Sequence, residues 1–276
     1  MPELPEVETI AQQLRAGRSD GTPPLIGRTI VRARALWARE IDGMSARAFE
    51  RQTRNRAVTS IGRHGKYLII GLGEAGTAAP LSMLVHLRMS GRLDVVAQVD
   101  AGTKHARVVW ELDGGWALRF DDARKFGRVY LVADPAQVTG RTGPDALQIS
   151  AGEFSERLSH RRGALKSILL DQAFIAGVGN IYADESLFLA GLRPKRLAQT
   201  LGDADRLRLH AAVRQTLLDG VAANGASFDW VYPGGNYQDN FRVYGRTGRA
   251  CVTCGRPIQR IIVGQRSTHY CAHCQK

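Results

Sequence analysis

Thr139-Gly140-Arg141-Thr142-Gly143-Pro144 is the stretch on which the reading of this chain turns. Glycine and proline supply turn backbone and no apolar residue interrupts them, so the stretch reads as a connection between domains. On its N-terminal side the apolar residues alternate, in Thr29 to Trp37, Val58 to Ile61, Lys66 to Leu72, Arg107 to Leu112 and Trp116 to Phe120. A period of two predicts short antiparallel strands in a β-sandwich or barrel, with Asp113-Gly114-Gly115 as a hairpin turn. Two helices are expected in the same half. One passes through Val7, Ile10 and Leu14 and packs on the sheets; the other runs from Ser45, its N-cap, to Arg54 and buries Ala46 and Phe49. On the C-terminal side the period becomes helical: Phe154 and Leu158, then Leu165, Ile168 and Leu169, then Ile181, Leu187 and Leu189, then Leu207, Leu209, Val213, Leu217 and Val221. Gly191 and Pro194 punctuate this series, and Phe228 to Tyr244, with Pro233-Gly234-Gly235, reads as a loop. The expected class is α+β multidomain: residues 1–135 a helix plus β-sandwich, 136–150 a linker, 151–226 helical, 227–240 a loop, and 241–276 a small terminal module.

Length and charge narrow the partners. A chain of 276 residues with 44% hydrophobic content can bury more than one core. A net charge of +12 calls for a polyanion, and nucleic acid is the commonest one. The sequence pI is near 10.1. Glu3, Glu6 and Glu8 occupy the N-terminal region where a secretory signal would be basic and then apolar, and no run is long enough to span a bilayer. A cytoplasmic protein without membrane association is expected.

All four cysteines lie near the C-terminus, as Cys251-Val252-Thr253-Cys254 and Cys271-Ala272-His273-Cys274. Paired C-x2-C motifs at this separation suit a closed tetrahedral zinc site, structural because four thiolates leave no position for a substrate. Two disulfides are the competing reading. His269 and His273 are read as bystanders. From Phe241 to Lys276 the module carries Arg242, Arg246, Arg249, Arg256, Arg260 and Arg266 and no acid, the charge pattern of a phosphate-binding finger.

Met1-Pro2-Glu3-Leu4-Pro5-Glu6 supports two readings. Its carboxylates could complement the dipole of the first helix. With Met1 removed, Pro2 would instead present a secondary α-amine, a group whose reference pKa of about 7.7 to 8.0 leaves a neutral fraction at pH 7. Such an amine can attack a sugar C1′ and form an iminium, with Glu3 placed to move protons. Gly177-Val178-Gly179-Asn180, ahead of a helix, is either a phosphate-binding turn or an ordinary interhelical one. Phe126, in Asp122-Ala123-Arg124-Lys125-Phe126-Gly127, is either a wedge for a base stack or a core residue of the next strand; Met89-Ser90-Gly91-Arg92 lies in a similar setting. Arg63-His64-Gly65-Lys66 reads as a solvated basic turn.

Several of these stretches agree with one another. Met1-Pro2-Glu3-Leu4-Pro5-Glu6-Val7-Glu8-Thr9, Gly65-Lys66-Tyr67-Leu68, His86-Leu87-Arg88-Met89-Ser90-Gly91, Arg124-Lys125-Phe126-Gly127, Gly177 to Ala183 and Gln265 to Cys271 give the chain, over nearly its whole length, a resemblance to the formamidopyrimidine glycosylase and endonuclease VIII family, on its formamidopyrimidine-DNA glycosylase branch. The resemblance implies a helical domain with a helix-two-turn-helix motif, a zinc-finger β-hairpin, and a monomer acting on damaged double-stranded DNA. It implies removal of 8-oxoguanine and formamidopyrimidines, then strand cleavage by β,δ-elimination. Pro2 would be the nucleophile, Glu3 the general acid/base, Glu6 its support, and Lys66 and Arg266 the proton donors for β- and δ-elimination. His105, Arg124, Arg161, Lys166 and Asn180 would contact DNA, while Met89, Arg124 and Phe126 would fill the gap left by a flipped nucleotide. Cys251, Cys254, Cys271 and Cys274 would hold one structural Zn2+. No other cofactor is expected, and no magnesium requirement, because elimination from an iminium needs no metal-activated water.

Departures from the family pattern bear on lesion preference. Arg88 stands where glycine is common, Ala123 where proline is common, and Asn224 to Tyr237 is shorter than the usual lesion-recognition loop. An endonuclease VIII-like enzyme for oxidised pyrimidines is the nearest alternative, which Arg124-Lys125-Phe126 argues against. A non-catalytic zinc-dependent DNA-binding protein is the alternative from another class.

Overall fold

The computed structural model describes residues 1–74, 78–227 and 234–276. The chain forms two compact units: Met1–Pro2 with Glu6–Arg141, and Glu3–Pro5 with Thr142–Ser227 and Gly234–Lys276. No helix among the described residues is long and apolar enough to cross a membrane.

The first unit is a two-sheet sandwich. One sheet has the order β1 (Ile30–Ala35), β7 (Ala106–Leu112), β8 (Trp116–Asp122), β6 (Gly91–Ala97); the other has β2 (Ile41–Asp42), β9 (Arg128–Val132), β5 (Leu81–His86), β4 (Tyr67–Leu72), β3 (Val58–His64). Every pairing is antiparallel except β2 with β9. Their inner faces share one core, in which Trp110, Leu118 and Phe120 of the first sheet join Leu68, Ile70, Met83 and Val129 of the second. α1 (Leu4–Ala16) adds Val7, Ile10, Ala11 and Leu14 to that core, as its helical spacing predicts. α2 (Ala46–Thr53) is capped by Ser45, whose Oγ accepts from the Ala48 amide at 3.2 Å. Phe49 is fully buried, edge-on to Trp110, whereas Ala46 is half-buried.

Asp113–Gly115 turns β7 into β8, with Gly114 at φ 69°. β5, β6 and β9 are strands that alternation did not reveal. In β5 the last residues are buried in succession, so no polar face marks it.

The second unit is helical, with a β-hairpin at its C-terminal end. A short turn of helix, α3 (Ala136–Thr139), precedes the boundary between the units; α4 (Ala151–Ser159), α5 (Leu165–Leu170), α6 (Asn180–Leu189) and α7 (Asp203–Ala222) follow it. Their core includes Phe154, Leu158, Leu165, Leu169, Phe174, Tyr182, Leu209, Val213 and Leu217, together with Leu4 from the first turn of α1. Leu189 and Leu207, counted in the helical periodicity, are exposed. Between α5 and α6 the chain makes a pair of turns fixed by Gln172, which accepts from the Gly177 amide at 3.0 Å and donates to the Val178 carbonyl at 2.8 Å. β10 (Gln259–Val263) and β11 (Arg266–Tyr270) form the antiparallel hairpin. The loop expected over Phe228–Tyr244, and the shortened stretch Asn224–Tyr237 that overlaps it, lie partly at 228–233, outside the described residues; 237–240 form a single 3-10 turn.

Candidate functional site

In the terminal module the four cysteine sulfurs lie within 4.8 Å of one another. Cys251 and Cys274 Sγ are 3.9 Å apart and Cys254 and Cys271 Sγ 3.5 Å, far beyond a disulfide bond of about 2.05 Å. Four sulfurs about 2.3 Å from a tetrahedral zinc would stand roughly 3.8 Å apart, so the residues present fit a Zn(Cys)4 centre. The Thr253 and Cys274 amides point at Cys251 and Cys271 Sγ at 3.5 Å, a donor set suited to thiolates. Neither histidine belongs to this cluster.

α6 organises the rest of the second unit. Its sequence, Asn180-Ile181-Tyr182-Ala183-Asp184-Glu185-Ser186-Leu187-Phe188-Leu189, is buried almost all round, acids included. Glu185 accepts from the Arg242, Val243 and Tyr244 amides at 2.9, 2.9 and 2.8 Å, and burial pushes its carboxyl upward against those bonds. Asp184 faces the hairpin: it accepts from the His269 amide at 2.9 Å, lies 3.1 Å from His269 Nδ1, and is ion-paired with Lys166. Two adjacent acids thus tie the terminal module to α6, Glu185 at residues 242–244 and Asp184 at His269. Asp184 and Glu185 were not singled out in the sequence, although two acids inside an apolar helical run are a usable sign of buried tethers, and His269, read only as a bystander to the metal, is the partner of one of them.

The helix start is occupied by the chain itself. Glu3 is buried, and its carboxylate accepts from the Ile181 amide at 3.1 Å and the Tyr182 amide at 3.4 Å. A Cβ on Gly179 would fall 2.2 Å from Glu3 Cδ, and one on Gly177, at φ 112°, would fall 2.5 Å from Leu4 Cδ1. The paired glycines therefore admit Glu3 and Leu4. The phosphate-binding reading of this turn is corrected: the anion on the α6 amides is the Glu3 carboxylate.

Lys166 also departs from expectation. Its side chain is 0% exposed, held by Asp184 and by the Asn180 carbonyl at 2.9 Å. A fully buried ammonium with a carboxylate partner cannot contact a phosphate directly, so its assignment as a DNA contact is corrected to one that braces Asn180. Burial lowers its pKa, opposed by Asp184 and Glu3 and assisted by Arg266. Asn180 Nδ2 donates to the Ser267 carbonyl at 3.1 Å, one residue from exposed Arg266 at the start of β11. Arg161 is half-buried, paired with Asp171 at 2.9 Å, with its guanidinium 5.5 Å from the Phe174 ring centre.

In the first unit Pro2 is buried, Met1 exposed, and Glu6 buried in the first turn of α1. Lys66 is buried beyond Gly65, φ 56°, in the turn from β3 to β4. Arg63 is nearly buried, paired with Glu8 at 3.0 Å. The reading of Arg63 to Lys66 as a solvated turn therefore fails, because two of its cations are packed inward. His86, at the end of β5, is pushed down to about 3 by burial and by the charges of Arg88 and Lys66. It is a neutral imidazole whose Nδ1 accepts from the Arg88 amide at 3.1 Å.

Met89 and Phe126 are 41% and 49% exposed, which removes the core alternative for Phe126. Arg124 is also exposed, its guanidinium 5.2 Å from the Phe126 ring centre. Half-buried His105 gives its carbonyl to the Asp122 amide at 2.9 Å.

Comparison with known proteins supplies an independent frame. Residues 1–129 match the family model of the formamidopyrimidine-DNA glycosylase N-terminal domain, 142–230 that of the formamidopyrimidine-DNA glycosylase H2TH domain, and 248–276 that of a zinc finger found in FPG and IleRS. The chain is 40% identical over 284 residues to a formamidopyrimidine-DNA glycosylase of Herpetosiphon aurantiacus, covering 100% of both. It is 39% identical over 285 residues to one of Desulfitobacterium hafniense, again covering 100% of both. Among solved structures, wild-type Lactococcus lactis Fpg (MutM) with an N7-benzyl-Fapy-dG-containing DNA superposes with a TM-score of 0.89 at 29% identity, covering 100% of each chain. The same organism's Fpg with an abasic-site-containing DNA gives a TM-score of 0.88 at 29% identity, covering 99% of each.

Proposed function

Because this chain belongs to the formamidopyrimidine-DNA glycosylase family, we propose that it removes oxidised purines, 8-oxoguanine and formamidopyrimidines, from double-stranded DNA and then cuts the abasic strand. It acts as a monomer in the cytoplasm, on the nucleoid. In this reading residues 1–135 carry the nucleophile, and 151–226 with 241–276 carry the DNA grip. The single observation that carries the mechanism is the seating of Glu3 on the α6 amides through Gly179, because it fixes the residue bonded to Pro2.

With Met1 removed, the Pro2 nitrogen attacks C1′ of the extruded nucleotide. The N–C1′ bond forms, the glycosidic bond breaks, and the electron pair leaves with the base, which takes a proton. Glu3 moves the proton that opens the sugar to an iminium, with Glu6 in support. Loss of a C2′ proton expels the 3′-phosphate; loss of a C4′ proton expels the 5′-phosphate. Lys66 serves the first elimination and Arg266 the second, and water then releases Pro2. A stacked base hides C1′, so extrusion precedes chemistry. Met89, Arg124 and Phe126 fill the gap, with Arg124 facing the orphaned base. His105, Arg161 and Asn180 contact the backbone, positioning the duplex without reading sequence. Cys251, Cys254, Cys271 and Cys274 hold one Zn2+, which stabilises the hairpin and takes no part in catalysis.

Borohydride trapping with an 8-oxoguanine:cytosine duplex, followed by peptide mapping, tests this. A covalent adduct at Pro2 is expected. An adduct only with an oxidised pyrimidine would replace the substrate class, and tight binding without any adduct would remove the chemistry.

A further inference from the structure

The connections that bear the exposed Met89 and Phe126 run side by side at one corner of the sandwich. One leaves β5 at His86 and enters β6 at Gly91; the other leaves β8 at Asp122 and enters β9 at Arg128. Their ends are paired across the ladders, Gly91 with Asp122 and His86 with Arg128. Each therefore crosses between the sheets, and each contains a non-glycine residue in the left-handed region, Arg88 at φ 53° and Lys125 at φ 60°. Such backbone persists only where its surroundings over-determine it.

At Arg88 the amide is held by His86 Nδ1 at 3.1 Å; around Lys125 the over-determination comes from one side chain. Asp122 has no solvent exposure. Its Oδ2 accepts from the Phe126 amide at 2.8 Å and the Gly127 amide at 2.7 Å, and its Oδ1 accepts from the Arg124 amide at 3.1 Å. The Ser90 hydroxyl, beside Met89, also donates to Asp122 Oδ1 and accepts from the Arg124 amide at 3.1 Å. Below, Phe120 fills the space against Gly91 and Gly127, where an added Cβ would approach its ring to 2.9 and 2.4 Å. Lys125 Nζ sits 3.9 Å from the Trp37 ring centre and closes the outer side.

We propose that Asp122 is the positioning residue of the wedge: with Ser90 it locks the Met89 and Arg124–Phe126 connections into one preformed piece before DNA arrives. The proposal rests on the reading of Met89, Arg124 and Phe126 as the gap-filling residues. Its function follows from the cost of insertion. Side chains entering a base stack from mobile loops must be ordered during binding, whereas a prebuilt pair of tips carries that cost within the folded protein. Asp122 touches no substrate and acts through the loops.

Ser90→Ala is the mild test, because it removes one hydroxyl and leaves the three amide bonds to Asp122. Single-turnover excision from an 8-oxoguanine:cytosine duplex should fall about tenfold, the scale of one lost hydrogen bond to a charged group. Cleavage of a preformed abasic site, which has no base to unstack, should stay within about twofold. In a Met89→Ala background the Ser90→Ala effect should shrink, since one of the two connections that Ser90 holds then carries no wedge tip. Asp122→Asn, which puts an amide where amides must be accepted, should give the same substrate selectivity with a larger loss. Equal losses on both substrates, or additive effects of Ser90→Ala and Met89→Ala, would overturn the proposal. Phe126→Ala separates it from the reading beneath it. Full excision by that variant would remove the wedge itself; impaired excision by Phe126→Ala with none by Ser90→Ala would leave the wedge and remove the lock.

Discussion

Replacing Glu40 by glutamine removes a charge that the fold tolerates only at a cost. Glu40 ends the 3-10 turn Ala38–Glu40, is 0% exposed, and neither carboxyl oxygen has a hydrogen-bond partner among the described residues. Burial, reinforced by the negative charge of Asp122, pushes its pKa from 4.5 to about 8, against the opposing charges of Arg107, Arg128 and Lys125. Between those two values the folded chain holds a proton that the unfolded chain releases. Stability from this group is therefore complete below the unfolded value and falls as pH rises towards the folded one, by about 1.4 kcal/mol per pH unit. At pH 7 the accumulated loss is about 3 kcal/mol. Glutamine is neutral throughout, so urea unfolding of the Glu40→Gln variant should lack this component. The variant should gain about 3 kcal/mol on the wild type between pH 4.5 and pH 7, whatever constant offset the buried amide adds. Parallel stability curves for the two proteins between pH 5 and pH 8 would refute the reasoning.

Gly179→Ala places a methyl group where the Glu3 carboxylate lies, 2.2 Å from Cδ, in a turn where Gly177, Val178 and Gly179 are all buried. Displacing Glu3 should lower single-turnover excision and abasic cleavage alike, by about 100-fold or more, while duplex affinity measured by anisotropy changes little. Lys166→Met leaves Asp184 buried without its cation and should cost about 3 to 5 kcal/mol in urea unfolding. Pairing it with Asp184→Leu should recover much of that loss, because the uncompensated charge is then gone.

Patterns that depend on one element alone were legible in the sequence. The alternation of Lys66 to Leu72 became β4, with every second residue buried, and Ser45 capped α2. The paired C-x2-C motifs brought four sulfurs together because their spacing is local within each knuckle. Features that depend on a distant partner were not legible. β5 has no polar face to alternate, Arg63 pairs with Glu8 from another element, and Lys166 is inside because Asp184 is there to meet it. Gly177 and Gly179 looked like a phosphate turn because small residues and helix amides attract any anion. Sequence cannot say that the anion is Glu3, whose seat is formed 178 residues away.

That separation has a consequence for how the protein is made. Glu3, Leu4 and Pro5 leave the ribosome well before the rest of the second unit to which they belong, where Glu3 is held by Ile181 and Tyr182. At about 5 to 20 residues per second, the seat is synthesised roughly ten to forty seconds after the residue that fills it. During that interval the nascent sandwich carries the proposed amine and the proposed wedge without the fixed carboxylate beside Pro2. On the proposed mechanism, competence for strand cleavage is thus a late event in the life of each polypeptide, because a chain that stops short of α6 has neither the seated Glu3 nor the second unit that grips DNA.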